Sequence, residues 1–138
     1  MILISAQKDP IDINGFINEG ISNSDGSDLI FIGKVRDSSQ NKKVLYIDYD
    51  IYNGMAVKEL NKIAEEAKSE HNLSRVIIIH RYGKVTVGEL SILIIVSSPH
   101  RDSSYAASRY IIDEIKKRVP IWKNEFYSNG SEWISDQN

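Results

Sequence analysis

With 138 residues, a formal net charge of -2 and no cysteine, this chain is long enough for one domain with a real core. The missing cysteines exclude disulfides, thiolate metal sites, a cysteine nucleophile and any persulfide carried on this chain. The charge argues against general nucleic-acid binding, no apolar run approaches the ~20 residues of a membrane span, and no basic-then-apolar leader opens the sequence. The expectation is one cytoplasmic domain over residues 1–138.

Ile2–Ile4 reads as a short first strand, and Asp9-Pro10 as an N-cap and first helical proline opening a helix to about Gly20. Ser22–Ser27 is a loop by composition. Leu29–Val35 and Val44–Tyr52 read as strands, separated by the wholly polar Arg36–Lys43, expected to be a mobile loop. Asn53 can cap a helix to about Asn72, with Met55, Ala56, Leu60, Ile63, Ala64 and Ala67 on one face.

Arg75–Tyr82 contains Val76-Ile77-Ile78-Ile79, a run expected of a strand covered on both faces. Gly83 and Gly88 bracket a turn region, and Leu90–Ser97 is a further apolar strand. Asp102 or Ser103 can cap a third helix that turns Ala106, Ala107, Tyr110, Ile111 and Ile115 inward and stops before Pro120. Beyond it, Ile121 and Trp122 are expected to anchor a short segment in a hydrophobic surface. The pattern is α+β: a mixed sheet with helices packed on it.

Four clusters at element ends carry the available chemistry. Gly33-Lys34-Val35-Arg36 leaves a strand with a glycine for close approach and a guanidinium fork for phosphate or carboxylate; it is equally an ordinary strand exit. Ser97-Ser98-Pro99-His100-Arg101 leads into a helix N-terminus, where an anion is favoured, or is simply a capped turn. Lys116, Lys117 and Arg118 are consecutive helical residues about 100° apart, so they cannot all face one pocket. Lys123-Asn124-Glu125 follows Trp122, and a lysine near other cations loses basicity and can act as acid, base or nucleophile. His80-Arg81 follows a buried run and reads as structural; His71 reads as a solvated helix end. No Ser-His-Asp order, glycine-rich phosphate loop or metal-ligand spacing is present, leaving lysine, arginine and histidine chemistry on an anion.

Taken in order, Phe31–Arg36, Tyr52-Asn53-Gly54-Met55-Ala56, His80-Arg81-Tyr82-Gly83, Gly88-Glu89, Ser97–Arg101, Pro120–Glu125 and Gly130–Ile134 resemble the catalytic large subunit of molybdopterin synthase. The resemblance implies an α/β hammerhead-like α+β domain and a sulfurtransferase without a cofactor or metal. It implies conversion of cyclic pyranopterin monophosphate (precursor Z) to molybdopterin, with sulfur delivered as a thiocarboxylate on the C-terminal Gly-Gly of a small ubiquitin-like subunit. The absent cysteines agree with sulfur carried by the partner. A homodimer within a heterotetramer, with active sites drawing on both large subunits, is implied as well, with no role for nucleic acid or membrane.

Carried over by motif, Lys116 and Lys123 would be the catalytic lysines. Arg36, His100 and Arg101 would hold the pterin phosphate, Lys34 and Val35 would belong to its pocket, and Asn124 and Glu125 would adjoin it. Many members carry a further basic residue shortly after the tryptophan matching Trp133, where this chain has Ser135-Asp136-Gln137-Asn138. The competing expectations are a non-catalytic dimeric paralogue and an unrelated phosphate-ligand-binding regulator. Abundant apolar strand surface in Leu29–Val35, Val76–Ile79 and Leu90–Val96 adds to the expectation of a homodimer.

Overall fold

The structure, a computed structural model, describes residues 1–135, so the tail that lacks the extra basic residue lies outside the described residues from position 136 onward. Its elements run β1 (Ile2–Gln7), α1 (Asn14–Ile17), β2 (Ser27–Lys34), β3 (Ser38–Ser39), β4 (Lys42–Ile51) and α2 (Asn53–Glu70). They continue with β5 (Arg75–Arg81), β6 (Gly83–Thr86), β7 (Leu90–Ser98), α3 (Arg101–Arg118), β8 (Ile121–Tyr127) and β9 (Gly130–Ser135). Among the described residues, no helix is long and apolar enough to cross a membrane.

A four-stranded sheet has the order β1-β5-β7-β2, with β1 and β5 parallel and the other neighbours antiparallel. Its two central strands are buried on both faces, which is why their sequences are nearly unbroken apolar runs. Val76, Ile78, Ile92, Ile94 and Val96 face the main core, which α2 and α3 cover. Ile77, Ile79, Leu93 and Ile95 face the other way, under Ile11, Ile13 and Phe16.

That second cover replaces the helix expected to open at Asp9-Pro10. The Gln7 amide donates to the carbonyls of Asp9 and Pro10, and Asp12 Oδ1 accepts the Asn14 N–H, so local turns outcompete helix growth. Only one helical turn, α1, survives, and Gly20 at φ +71° closes the segment. The second sheet centres on β4, which pairs β8 along one edge and β3 and β6 along the other, while β8 continues to β9.

Several expectations need correction. The region bracketed by Gly83 and Gly88 is largely strand β6, held to β4 from Tyr46↔Thr86 to Tyr49↔Gly83, with fully buried Val85 as its apolar pin. The polar stretch 36–43 contains a tight hairpin, turned by Gln40 and Asn41 in the left-handed region. On α3 the N-cap is His100, two or three residues earlier than expected, and the buried stripe is Ser104, Ala107, Ser108, Ile111 and Ile115. Ala106 and, on α2, Met55 are exposed instead of inward. Trp122 is 52% exposed while Ile121 is buried, because strand alternation sends only one of two neighbours into the core.

Candidate active site

Where the two sheets meet α3, a cavity of about 280 Å³ opens. β2 and its exit supply Phe31, Gly33, Lys34 and Arg36; β4 supplies Tyr49, β5 His80, and β7 Ser91 and Ile92. Ile112, Ile115 and Lys116 come from α3, and Lys123 from β8. Gly33 is fixed by sterics: a Cβ there would lie 2.6 Å from Ile92 Cγ2 in the cavity wall.

Helical geometry separates the three cations at the end of α3. Lys116 lines the cavity. Lys117 projects outward beside Glu114, at 3.4 Å. Arg118 turns to α2, where it donates to Glu59 Oε1 at 2.8 Å and Glu66 Oε1 at 2.6 Å, and it also reaches Glu114 at 3.3 Å. This network, first the Arg118 hydrogen bond, holds the Glu66 carboxyl below its ordinary range. Accepting the Tyr110 hydroxyl, Glu66 also helps push that phenol up to about 12.

On β8, Ile121, Lys123, Glu125 and Tyr127 share the covered face, and Lys123 stands opposite Tyr49 of β4. Glu125 is buried outside the cavity lining and accepts the Tyr127 hydroxyl at 2.7 Å. Burial first, and then that bond, push the Tyr127 phenol up to about 12. Asn124 falls on the opposite strand face, paired in register with Asp48 and Trp133. Its Oδ1 is buried without a hydrogen-bond partner. Val35 sends its side chain into the main core. Its N–H donates to the Glu89 carbonyl and its C=O accepts from Gly88, so the turn after β6 pins the backbone between Lys34 and Arg36.

Thus Lys34, Arg36, Lys116 and Lys123 are brought together, and Val35, Asn124 and Glu125 lie beside rather than in the cavity. His100 and Arg101 do not join them within one chain. They line a separate concavity with Gly26, Pro99 and Asp102, next to the Ser27 end of β2, whereas Lys34 closes its other end. An eight-residue strand at ~3.3 Å per residue puts those ends roughly 23 Å apart.

Sequence reasoning missed Phe31, Tyr49, Ser91 and Ile112, and took His80 for a purely structural residue. His80 is buried yet lines the cavity; its Nδ1 sits 2.7 Å from the Arg81 carbonyl and its ring meets Tyr49 edge-on at 5.4 Å. The signal was its place at the end of a buried strand, in phase with Ile78. Among the described residues no group of three or more His, Asp or Glu side chains is arranged to hold a metal ion. What the cavity offers chemically is four cations from three elements around a partly apolar floor, a site for a polyanionic small molecule. An open groove of about 640 Å³ between edge strand β2 and α3 meets it at Phe31, Ile112 and Lys116.

Comparison with known proteins identifies relatives of the same architecture. A molybdopterin synthase catalytic subunit from Pyrococcus abyssi is 42% identical over 135 residues, covering 95% of this chain and 90% of that protein. The one from Halalkalibacterium halodurans is 41% identical over 128 residues, covering 93% and 82%. Among solved structures, molybdopterin synthase from Staphylococcus aureus superposes with a TM-score of 0.88 at 35% identity over 94% of both chains. A complex of subunits 1 and 2 of the molybdopterin-converting factor from Helicobacter pylori, at 20% identity and a TM-score of 0.77, shares the fold over 99% of this chain and 92% of that one. Residues 6–118 match the family model described as MoaE protein, and the chain belongs to the MoaE family.

Proposed function

We propose that this protein is the catalytic subunit of molybdopterin synthase and transfers sulfur from the thiocarboxylated C-terminus of a small ubiquitin-like subunit to precursor Z. The observation that carries this reading is the convergence of Lys34, Arg36, Lys116 and Lys123 on one cavity that an open groove reaches at Lys116. An extended tail lying in the groove would bring a terminal thiocarboxylate to Lys116, and the remaining cations would face an anionic pterin.

Lys123, held on a paired strand opposite Tyr49, is the proposed general acid/base and electrostatic stabiliser. Lys116 orients the thiocarboxylate. His100 and Arg101 complete the phosphate grip from a second copy of the chain, because their own cavity is a strand length away. The assembly is therefore a homodimer carrying a small subunit at each end. Mixing the protein with its thiocarboxylated small subunit and precursor Z should consume the thiocarboxylate and yield a dithiolene. A protein that binds both and converts neither would be a non-catalytic paralogue.

A further inference from the structure

We propose that Glu89 is a positioning residue, which keeps Lys34 and Arg36 at the cavity by closing the turn that grips the backbone between them. What the two cations bind there rests on the sulfur-transfer reading above. β2 loses its regular ladder where it reaches the cavity. Gly33 pairs with Ile92 but Lys34 with Leu90, which leaves Ser91 in a bulge with its hydroxyl 3.3 Å from the Gly33 carbonyl. Beyond Lys34 the backbone is gripped by the turn after β6. The Val35 N–H donates to the Glu89 carbonyl at 3.1 Å, and the Gly88 N–H donates to the Val35 carbonyl at 2.9 Å. With the Val35 side chain in the main core, its two neighbours line the cavity.

The Glu89 carboxylate shapes that turn. Its Oε1 accepts the Thr86 N–H at 2.8 Å and the Thr86 hydroxyl, while the Glu89 N–H donates to the Thr86 carbonyl at 3.0 Å. Its Oε2 lies 3.3 Å from Nη1 of the buried Arg81, which also donates to the carbonyls of Lys8 and Lys84. One carboxylate thus fastens the turn both to β6 and to the end of β5. Glu89 itself lies outside the cavity lining, so it acts through the Val35 backbone. Charge alone makes the opposite demand: a carboxylate near a cationic site repels an anion, and deleting it should tighten binding. Positioning requires that deletion weaken binding. The sign separates the two.

The test uses the complex with the small subunit, titrated with precursor Z and, separately, with inorganic phosphate followed by the Arg36 side-chain carbon resonances. Glu89→Ala should weaken both by about tenfold, and the loss of precursor Z affinity should shrink when Arg36→Ala is already in place. Glu89→Gln, whose amide oxygen can still accept from Thr86, should bind close to the parent. By hydrogen exchange, the Val35 amide should open faster in Glu89→Ala while amides of β5 and β7 stay protected, a pattern that general destabilisation does not give. Parent-like binding in Glu89→Ala, a Glu89→Gln as weak as Glu89→Ala, or a uniform loss of protection overturns the inference. A parent that takes phosphate but not precursor Z refutes the sulfur-transfer reading, and the phosphate titration then decides the role of Glu89. Should Glu89→Ala fail to fold, Thr86→Val decides, since it alters an exposed position and keeps the Arg81 pair. Its Val35 amide must exchange faster than the parent's, and parent-like exchange overturns the inference.

Discussion

At residue scale, the cavity depends on single side chains whose replacement has defined consequences. Gly33→Ala would push a methyl to within 2.6 Å of Ile92 Cγ2, and Ile92 is buried against the main core with little room to retreat. Overpacking of this kind typically costs about 1–3 kcal/mol, and here it also narrows the cavity floor. Urea unfolding should register that loss, and substrate affinity should fall with it; a variant as stable and tight-binding as the parent would show that the wall yields freely. Lys116, Lys117 and Arg118 illustrate what a sequence discloses at this scale. Their divergence followed from helix geometry alone, but which of them meets the cavity depended on where β2, β4 and β8 come to rest.

At element scale, two clamps hold the scaffold that aims these groups. Arg75 is 1% exposed; it donates to Ser97 Oγ, to the carbonyls of Ile17 and Glu19, and to Asp28, tying the segment after α1 to the four-stranded sheet. Arg75→Ala should cost roughly 2–5 kcal/mol in denaturant unfolding, by leaving a void, an orphaned buried Ser97 hydroxyl and partly buried carbonyl acceptors. A loss well below that would mean the segment holds itself. The second clamp, Arg118 on Glu66, fixes the end of α3 to α2.

The Glu66 carboxyl is held below its ordinary value of 4.5, so its contribution is fully present above that value and disappears as pH falls through the lowered one. Both partners are partly solvated, so the effect is modest. Thermal melts of the parent should drop more steeply on acidification below about pH 4.5 than those of Glu66→Gln, and parallel curves would dismiss the clamp.

The same scale shows what was legible and why. α2 was readable because Ala56, Leu60, Ile63, Ala64 and Ala67 recur at helical spacing, and β5 and β7 because unbroken Val, Ile and Leu runs fit only strands covered twice. The stretch after Asp9-Pro10 was misread because the side chains of Gln7 and Asp12 bond the backbone locally, a choice that periodicity does not record. β6 was hidden in a glycine-bounded stretch too short for alternation to speak. His80 looked structural for a sound reason, since it is as buried as its neighbours; only the approach of β4 and β8 turns that strand end into a cavity wall.

At the scale of the whole molecule, the two basic regions lie at opposite ends of β2, and the proposed dimer joins them. Such a dimer should show complementation. Lys116→Ala and Arg101→Ala should each be nearly inactive alone. Co-expressed, they should regain activity, because one of the two sites in a mixed dimer then unites an intact Lys116 with an intact Arg101. No recovery in mixed dimers verified by mass would show that His100 and Arg101 serve some other purpose.

The central claim, that sulfur transfer takes place in the cavity where Lys116 and Lys123 meet, is tested most directly by single-turnover transfer from the thiocarboxylated small subunit to precursor Z. Lys116→Ala and Lys123→Ala should each lose on the order of 10²–10⁴ in rate while folding and binding the small subunit normally. Lys117→Ala, directed outward beside Glu114, should transfer sulfur at close to the parent rate. Substantial transfer by either of the first two variants, or collapse of the third, would contradict the account.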